Sequence, residues 1–325
     1  MFSLCESNTW LVTGCAGFIG SNLVDELLRQ GQTVIGLDNL STGYLKNIEK
    51  YTKDKNFTFF EIDIRNYKDL LAVFKSVRID YVLHQAALGS VPRSVADPIT
   101  THEVNTTGFL NVLHCAKEVE VKKFVYAASS STYGDSTDLP KREDNIGNPL
   151  SPYAITKYCN ELYSANYQKL FGLNCVGLRY FNVFGPNQDP DGAYAAVIPK
   201  WIHAVCNNER IFINGDGNTS RDFCFIKNVI YANLRAAVIT DNKSMIYNVA
   251  CGEQTSLNAL FRMIVDNMHT LGVNYTLDPI YKKERVGDVK HSLADISRIK
   301  LELNYTPDVK VSEGILQTCT HFLQQ

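Results

Sequence analysis

Trp10-Leu11-Val12-Thr13-Gly14-Cys15-Ala16-Gly17-Phe18-Ile19-Gly20 decides the fold of this 325-residue chain. Residues 10–13 read as a short buried strand, and the pattern over 19–30 reads as an amphipathic helix. Gly14, Gly17 and Gly20 punctuate the turn between them, with Phe18 and Ile19 opening the helix. Glycines there let backbone N–H groups approach a pyrophosphate at the helix N-terminus. The G-x-x-G-x-x-G spacing departs from the commoner G-x-G-x-x-G, and tight strand-to-helix packing accounts for three glycines as well.

Outward from this stretch, strand and helix patterns alternate through the first half, as βαβ units of a parallel sheet do. Further strands are read over 33–37, 57–62, 81–84, 124–128 and 174–179, and helical stripes over 67–77 and 106–119. The expected fold class is α/β, a Rossmann-type doubly wound parallel sheet with a smaller C-terminal α/β substrate domain. Residues 1–180 form the expected nucleotide-binding domain, to which about 222–250 returns, and 181–221 with 251–325 form the second. Asp38 stands about twenty residues beyond the glycines, where a carboxylate accepts from both adenosine ribose hydroxyls. Asn39 follows where an arginine would favour a 2′-phosphate, so NAD is expected rather than NADP. Asp63 and Ile64 border the adenine, or Asp63 caps a helix. Gln85, Ala86 and Ala87 end the fourth strand, where a cofactor can pass close to the backbone.

Tyr153 is followed four residues later by Lys157, so the two share one helix face. A neighbouring cation lowers a phenol's pKa from about 10. With a nicotinamide cation also near, the phenol can serve as a general base at neutral pH. The spacing alone is common on surface helices, but its setting is not. Ser151-Pro152 reads as an N-cap and first-turn proline, Ile155, Leu162, Tyr163 and Leu170 continue a stripe to Phe171, and Gly172 ends the helix. Upstream, the strand over 124–128 runs into Ser129, Ser130 and Ser131 at the carboxyl edge of the sheet, where open α/β folds bind ligands.

Composition narrows the partners. The formal charge is -2 with dispersed basic residues, which leaves no electrostatic footprint for nucleic acid. Nine cysteines, an odd number without a C-x-x-C pair, read as reduced packed thiols and not as a metal or disulfide framework. No signal-peptide pattern and no apolar run of about eighteen residues occurs, so a cytoplasmic protein without membrane partners is expected.

These residues resemble the extended short-chain dehydrogenase/reductase family, most closely its UDP-sugar 4-epimerases. The likeness runs from Trp10 to about Asp295. It rests on the three glycines, the serine run through Gly134, Tyr153 with Lys157, and Arg179-Tyr180-Phe181-Asn182-Val183-Phe184-Gly185-Pro186. The resemblance implies that Ser129, Tyr153 and Lys157 are catalytic, with Ser129 bonding the sugar's reacting hydroxyl. Ser131 shares its side of an extended chain and is second choice, while Ser130 faces away. Tyr153, Lys157 and Tyr180 join the implied NAD contacts. For the nucleotide sugar, the resemblance implies Gly89, Ser90, the three serines, Asn182, Gln188, Ala196, Val197, Asn214, Arg221, Arg285, Asp288 and Ser292. A planar guanidinium binds two diphosphate oxygens at once, which suits Arg221 and Arg285, although surface ion pairing uses arginines too.

Two departures narrow the implied chemistry. Related 4,6-dehydratases carry an Asp-Glu pair directly after the Ser129 position and UDP-glucuronate decarboxylases a glutamate; Ser130 and Ser131 stand here, so the reaction stops at removing and returning hydride. Epimerases restricted to UDP-glucose and UDP-galactose carry a tyrosine four residues after the aspartate of Arg-x-Gly-Asp. Here Arg285-Val286-Gly287-Asp288 is followed in that slot by Ser292, which leaves room for an N-acetyl group, as a merely small loop residue also would. The expected activity is reversible C4 epimerisation of UDP-N-acetylglucosamine to UDP-N-acetylgalactosamine, or of the corresponding uronic acids, with bound NAD. Alternatives are a UDP-glucose/UDP-galactose or UDP-glucuronate 4-epimerase and, further off, a 4,6-dehydratase or a non-catalytic NAD-binding protein. The resemblance also implies a homodimer through the helices over 106–119 and 152–171, whose apolar residues lie on more than one face; burial inside one chain would give the same pattern.

Overall fold

A computed structural model describes residues 2–191, 195–241, 243, 245–284 and 290–324. Seven strands form the central sheet, in the spatial order Ile246–Val249, Cys175–Tyr180, Lys123–Ser129, Tyr81–His84, Thr9–Thr13, Thr33–Asp38, Phe57–Glu61. Every neighbouring pair is parallel. A parallel sheet is covered on both faces, so its strands are apolar throughout. Alternation sends Leu11 to one face and Val12 to the other. Val12 joins a cluster with helices Phe18–Arg29 and Ile226–Val238, and Leu11 joins one with Tyr67–Ser76 and Phe109–Glu118. Strand order reverses between Thr9–Thr13 and Tyr81–His84, and the carboxyl ends at such a switch point leave a crevice.

Strand and helix ends fall within a residue or two of those read from sequence. One expected helix departs in kind. The stripe over 106–119 enters through a six-residue π-helical turn, Glu103–Gly108, and only then runs regularly as Phe109–Glu118. That helix buries Phe109, Val112, Leu113 and Ala116 within the chain, so burial inside the monomer accounts for its apolar pattern.

Helix Pro152–Phe171 has the expected ends: Ser151 Oγ accepts the Ala154 N–H at 3.1 Å, and Gly172 adopts φ 70. Its faces, however, reverse the usual amphipathic plan. Thr156, Lys157, Asn160, Glu161 and Ser164 are buried, while Ile155, Leu162, Tyr163, Leu170 and Phe171 are exposed. The apolar stripe legible in the sequence is thus not the face packed inward. The buried polar face is partly matched by the sheet: Arg179 on Cys175–Tyr180 binds both Glu161 carboxylate oxygens, at 2.9 and 2.8 Å.

Beyond Tyr180 the strands shorten. Val183–Phe184 pairs with Cys224–Phe225, Ser220–Arg221 with Thr255–Ser256, and Phe212–Asn214 with Ile280–Lys282. Helices Val197–Cys206, Leu257–Thr270 and Val311–Leu323 pack together beside them, making the smaller α/β unit. Among the described residues no helix is long and apolar enough to cross a membrane.

Candidate active site

A cleft of about 310 Å³ opens at the switch point. Gly14, Gly17, Phe18, Ile19 and Gly20 line it, as do Asp38, Asn39, Asp63 and Ile64, and Gln85, Ala86, Ala87 and Gly89. Leu37, Ser41, Thr42, Gly43, Ile62, Leu88 and Val104 complete the lining without having carried a motif. The glycines are required by space: Gly14 has φ +67 and a Cβ there would lie 2.8 Å from Ala86 N, while a Cβ on Gly20 would overlap the Gly14 carbonyl oxygen. Helix Phe18–Arg29 begins without a side-chain cap, so first-turn N–H groups are left for an anion.

Asp38 shapes the same loop. Its Oδ2 accepts the Ala16 N–H at 2.9 Å and its Oδ1 the Leu40 N–H at 2.8 Å, which leaves spare lone pairs for ribose hydroxyls. Burial pushes its carboxyl above the usual range. Asn39 Nδ2 donates to Asp63 Oδ2 at 2.9 Å, and the Arg65 guanidinium, 2.7 Å away, holds the Asp63 carboxyl down at about 2. Asp63 does not cap the following helix; Asn66 does, by accepting the Asp69 N–H. A glycine cradle, an uncapped helix start and a buried carboxylate with acceptors to spare all fit NAD.

Three residues without a sequence signal stand behind the lining of this cleft and hold it. Thr13 Oγ1 accepts the Gln85 and Ala86 N–H groups, each at 3.2 Å. Its own proton therefore goes to His84 Nδ1 at 2.9 Å, which assigns the Nε2–H tautomer. Burial, reinforced by the Lys157 charge, pushes His84 down to about 3, so the ring is neutral. Asn105, inside the π-helical turn, accepts the Leu88 N–H at 2.7 Å and donates to Leu88 O at 3.0 Å and Thr156 Oγ1 at 3.3 Å. It joins the cleft to the helix that carries Lys157.

Tyr153 occupies the first turn of its helix, and Lys157 Nζ lies 5.9 Å from its ring centroid while donating to Ala127 O at 2.8 Å. Burial pushes the Tyr153 phenol up, against a hydrogen bond with Ser129 that lowers it, and pushes the Lys157 ammonium down to about 8. Both groups are thus driven toward their neutral forms, and additional positive charge is what the phenol needs to ionise. Ser129 Oγ accepts from Ser131 N at 3.1 Å and Ser131 Oγ at 2.8 Å. Extended alternation does not place these serines as expected, because Ser130–Tyr133 is a 3-10 turn; Ser131 reaches Ser129 by that turn. The Tyr180 hydroxyl bonds Gln85 Oε1 at 3.1 Å and Asn233 Nδ2 at 2.9 Å, so it supports Gln85 from behind.

Toward the second unit, Asn182 Nδ2 donates to Asp222 O at 3.3 Å, Arg221 Nη1 to Ser220 O at 2.9 Å, and Ser292 N to Ser220 O at 3.1 Å. These three expected substrate residues meet around 220–222. Asp222, unread in the sequence, organises them: fully buried, it accepts from Cys251 N, Gly252 N and Ala294 N at 2.9, 3.0 and 3.2 Å, and desolvation raises its carboxyl to about 6. Gln188 donates to Val183 O at 3.2 Å, and its Oε1 is buried without a partner. Ala196 and Val197 open helix Val197–Cys206, which has no side-chain cap. Ser90 caps Val91–Ala96 at φ 93, a conformation rare for serine. Asn214 ends the strand paired to Ile280–Lys282 and takes no part in the bonds around 220–222. Arg285 and Asp288 lie outside the described residues.

A phenol, a buried lysine and a serine thus come together past the strand Lys123–Ser129, on the sheet whose neighbouring strand ends line the crevice, and the chain as a whole is similar to known proteins. The chain is 36% identical over 313 residues to a UDP-glucose 4-epimerase of Mycolicibacterium smegmatis, covering 96% of this chain and 97% of that one. It is 36% identical over 316 residues to a UDP-glucuronate 4-epimerase of Thermodesulfobacterium geofontis, covering 95% and 94%. The structure superposes with TM-score 0.91 and 38% identity on a UDP-N-acetylglucosamine 4-epimerase of Methanobrevibacter ruminantium in complex with UDP-N-acetylmuramic acid, covering 98% and 99%. Residues 10–250 match the NAD dependent epimerase/dehydratase family, and to that family of NAD-dependent enzymes the chain belongs.

Proposed function

We propose that the chain is a UDP-sugar 4-epimerase acting on UDP-N-acetylglucosamine and UDP-N-acetylgalactosamine, or on their uronic acids. The observation that carries the reaction type is the Ser129, Tyr153 and Lys157 group with serines, not carboxylates, at positions 130 and 131. NAD, when bound, supplies a reversible hydride acceptor. Tyr153, as phenolate, takes the C4 hydroxyl proton while Ser129 holds the same oxygen, and Lys157 steadies the phenolate charge. Arg221 and Arg285 would hold the diphosphate while the 4-keto sugar turns its opposite face of C4 to the returning hydride, and Tyr153 would give the proton back to the C4 oxygen.

Ser292 supports the N-acetylated substrate, since its small side chain stands on an arm hydrogen-bonded to Ser220, next to Arg221. Gln188 Oε1 offers a spare acceptor for a substrate N–H or hydroxyl. We place the working division of the chain near residue 180, with 222–250 serving the nucleotide half. A second copy of the chain covers the exposed stripe of Ile155, Leu162 and Tyr163, extended by Val95 and Ile99 on the short helices packed beside it.

Chromatography after incubation with each UDP-sugar tests the reading. The N-acetylated pair or its uronic acids should interconvert without net NADH; accumulation of NADH, or conversion only of UDP-sugars that lack the N-acetyl group, overturns it. Ser292→Tyr should cut turnover of N-acetylated sugars more than that of plain hexoses, and equal loss on both rejects Ser292 as the gate.

A further inference from the structure

Asn248 lies on the edge strand Ile246–Val249, where half the backbone groups have no neighbouring strand. Its outward N–H is taken by Glu143 Oε1 at 2.9 Å, and Arg179 Nη1 donates to the Glu143 carbonyl at 2.9 Å. The Asn248 side chain is fully buried and reaches three separate segments. Oδ1 accepts the Tyr133 hydroxyl at 2.6 Å; Nδ2 donates to Lys141 O at 2.9 Å and Asp295 O at 3.1 Å. The orientation of the amide follows from its partners, because only the NH₂ group can serve two carbonyls.

Each segment leads to a part of the site. Tyr133 closes the turn that begins at Ser129, and the Arg179 guanidinium sits 4.8 Å over its ring. Lys141 pairs with the arm beyond Ser292: Lys141 N donates to Leu293 O at 2.8 Å and Asp295 N to Lys141 O at 2.9 Å. The opposite side of that arm is held by Asp222 through Ala294 N and by Ser220 through Ser292 N. Removing the amide would take one partner from a buried polar group in each of the three segments.

We propose that Asn248 is a positioning residue that joins the catalytic serine turn to the Ser292 arm, so that one amide sets both the proton-transfer geometry and the shape of the sugar pocket. The inference rests on the reading that Ser129 and Ser292 face one UDP-sugar.

Two variants separate the two sides of the amide. Tyr133→Phe removes the bond to the turn, together with the hydroxyl's contact with Arg179, and leaves both carbonyl bonds of Asn248 in place. Asn248→Asp keeps an acceptor for Tyr133 and sets a carboxyl oxygen against the carbonyls of Lys141 and Asp295. With whichever UDP-sugar the parent enzyme epimerises, Tyr133→Phe should lower kcat about tenfold with KM within twofold, the scale of one buried hydrogen bond. Asn248→Asp should raise KM about tenfold or more, by the same scale for each bond lost. NAD affinity, measured by calorimetry, should stay within about twofold in both. A parallel loss of NAD affinity and turnover would reduce Asn248 to a structural hub. Unchanged kcat and KM in Tyr133→Phe rejects the link even if Asn248→Asp does not fold. Should the parent epimerise no UDP-sugar, the functional reading fails separately, and UDP binding then tests the link: weakened by Asn248→Asp and unaffected by Tyr133→Phe supports it, and any other pair of results overturns it.

Discussion

The crevice at the glycine turn is lined mainly from the carboxyl ends of four strands: 14–20 after the first, 38–39 at the end of the second, 62–64 after the third and 85–89 after the fourth. The region around 220–222 is assembled by side chains that reach across the chain, with Asp222 holding Cys251, Gly252 and Ala294, and Asn248 holding Lys141 and Asp295. A strand-end site leaves a local imprint, since a glycine or a strand-ending acid is demanded at a set distance from a recognisable strand. A site pinned by long-range hydrogen bonds leaves isolated polar residues whose partners lie about thirty to over a hundred positions away.

Five substitutions sharpen or break this contrast. Tyr153→Phe sits where the regions meet and should cost the most, on the order of a hundredfold or more in turnover, as loss of a general base does. Affinities for NAD and UDP should hold steady by calorimetry, and intact turnover would dismiss the phenol. Gly20→Val forces side-chain volume onto the Gly14 carbonyl and should weaken NAD up to about a hundredfold while sparing UDP; comparable losses of both ligands would mean the two regions are not separable. Asp222→Ala is the mirror experiment. With three N–H groups stripped of their acceptor, UDP-sugar affinity should fall roughly tenfold to thirtyfold with NAD unmoved. The smallest effect belongs to Thr13→Val, about fivefold on NAD affinity, because the Gln85 and Ala86 N–H groups lose one shared acceptor. His84→Leu should match it, and the double variant should be no worse than either. Additive losses would separate Thr13 from His84.

The sheet was legible because parallel strands are short apolar runs and each helix between them has a clean period, so ends missed by a residue or two did not alter the topology. The serine turn was misread where a local rule was applied beyond its range: alternation holds for a strand, and the strand stops at Ser129. Helix Pro152–Phe171 shows a further limit. Its caps are local and were readable, but which face turns inward depends on Arg179, which meets Glu161 from a neighbouring strand. Asp222, Asn248 and Asn105 had no readable signal because their importance lies entirely in distant partners.

That reversed helix carries the base on its buried side and an apolar stripe on its exposed side. If a second copy covers the stripe, mass action governs catalysis as well as assembly. Specific activity would then rise with enzyme concentration at saturating sugar and NAD, and dilution would act as a reversible inhibitor. A flat dilution series, with Ile155→Lys as active as the parent, would instead leave the stripe as surface that the catalytic side never feels.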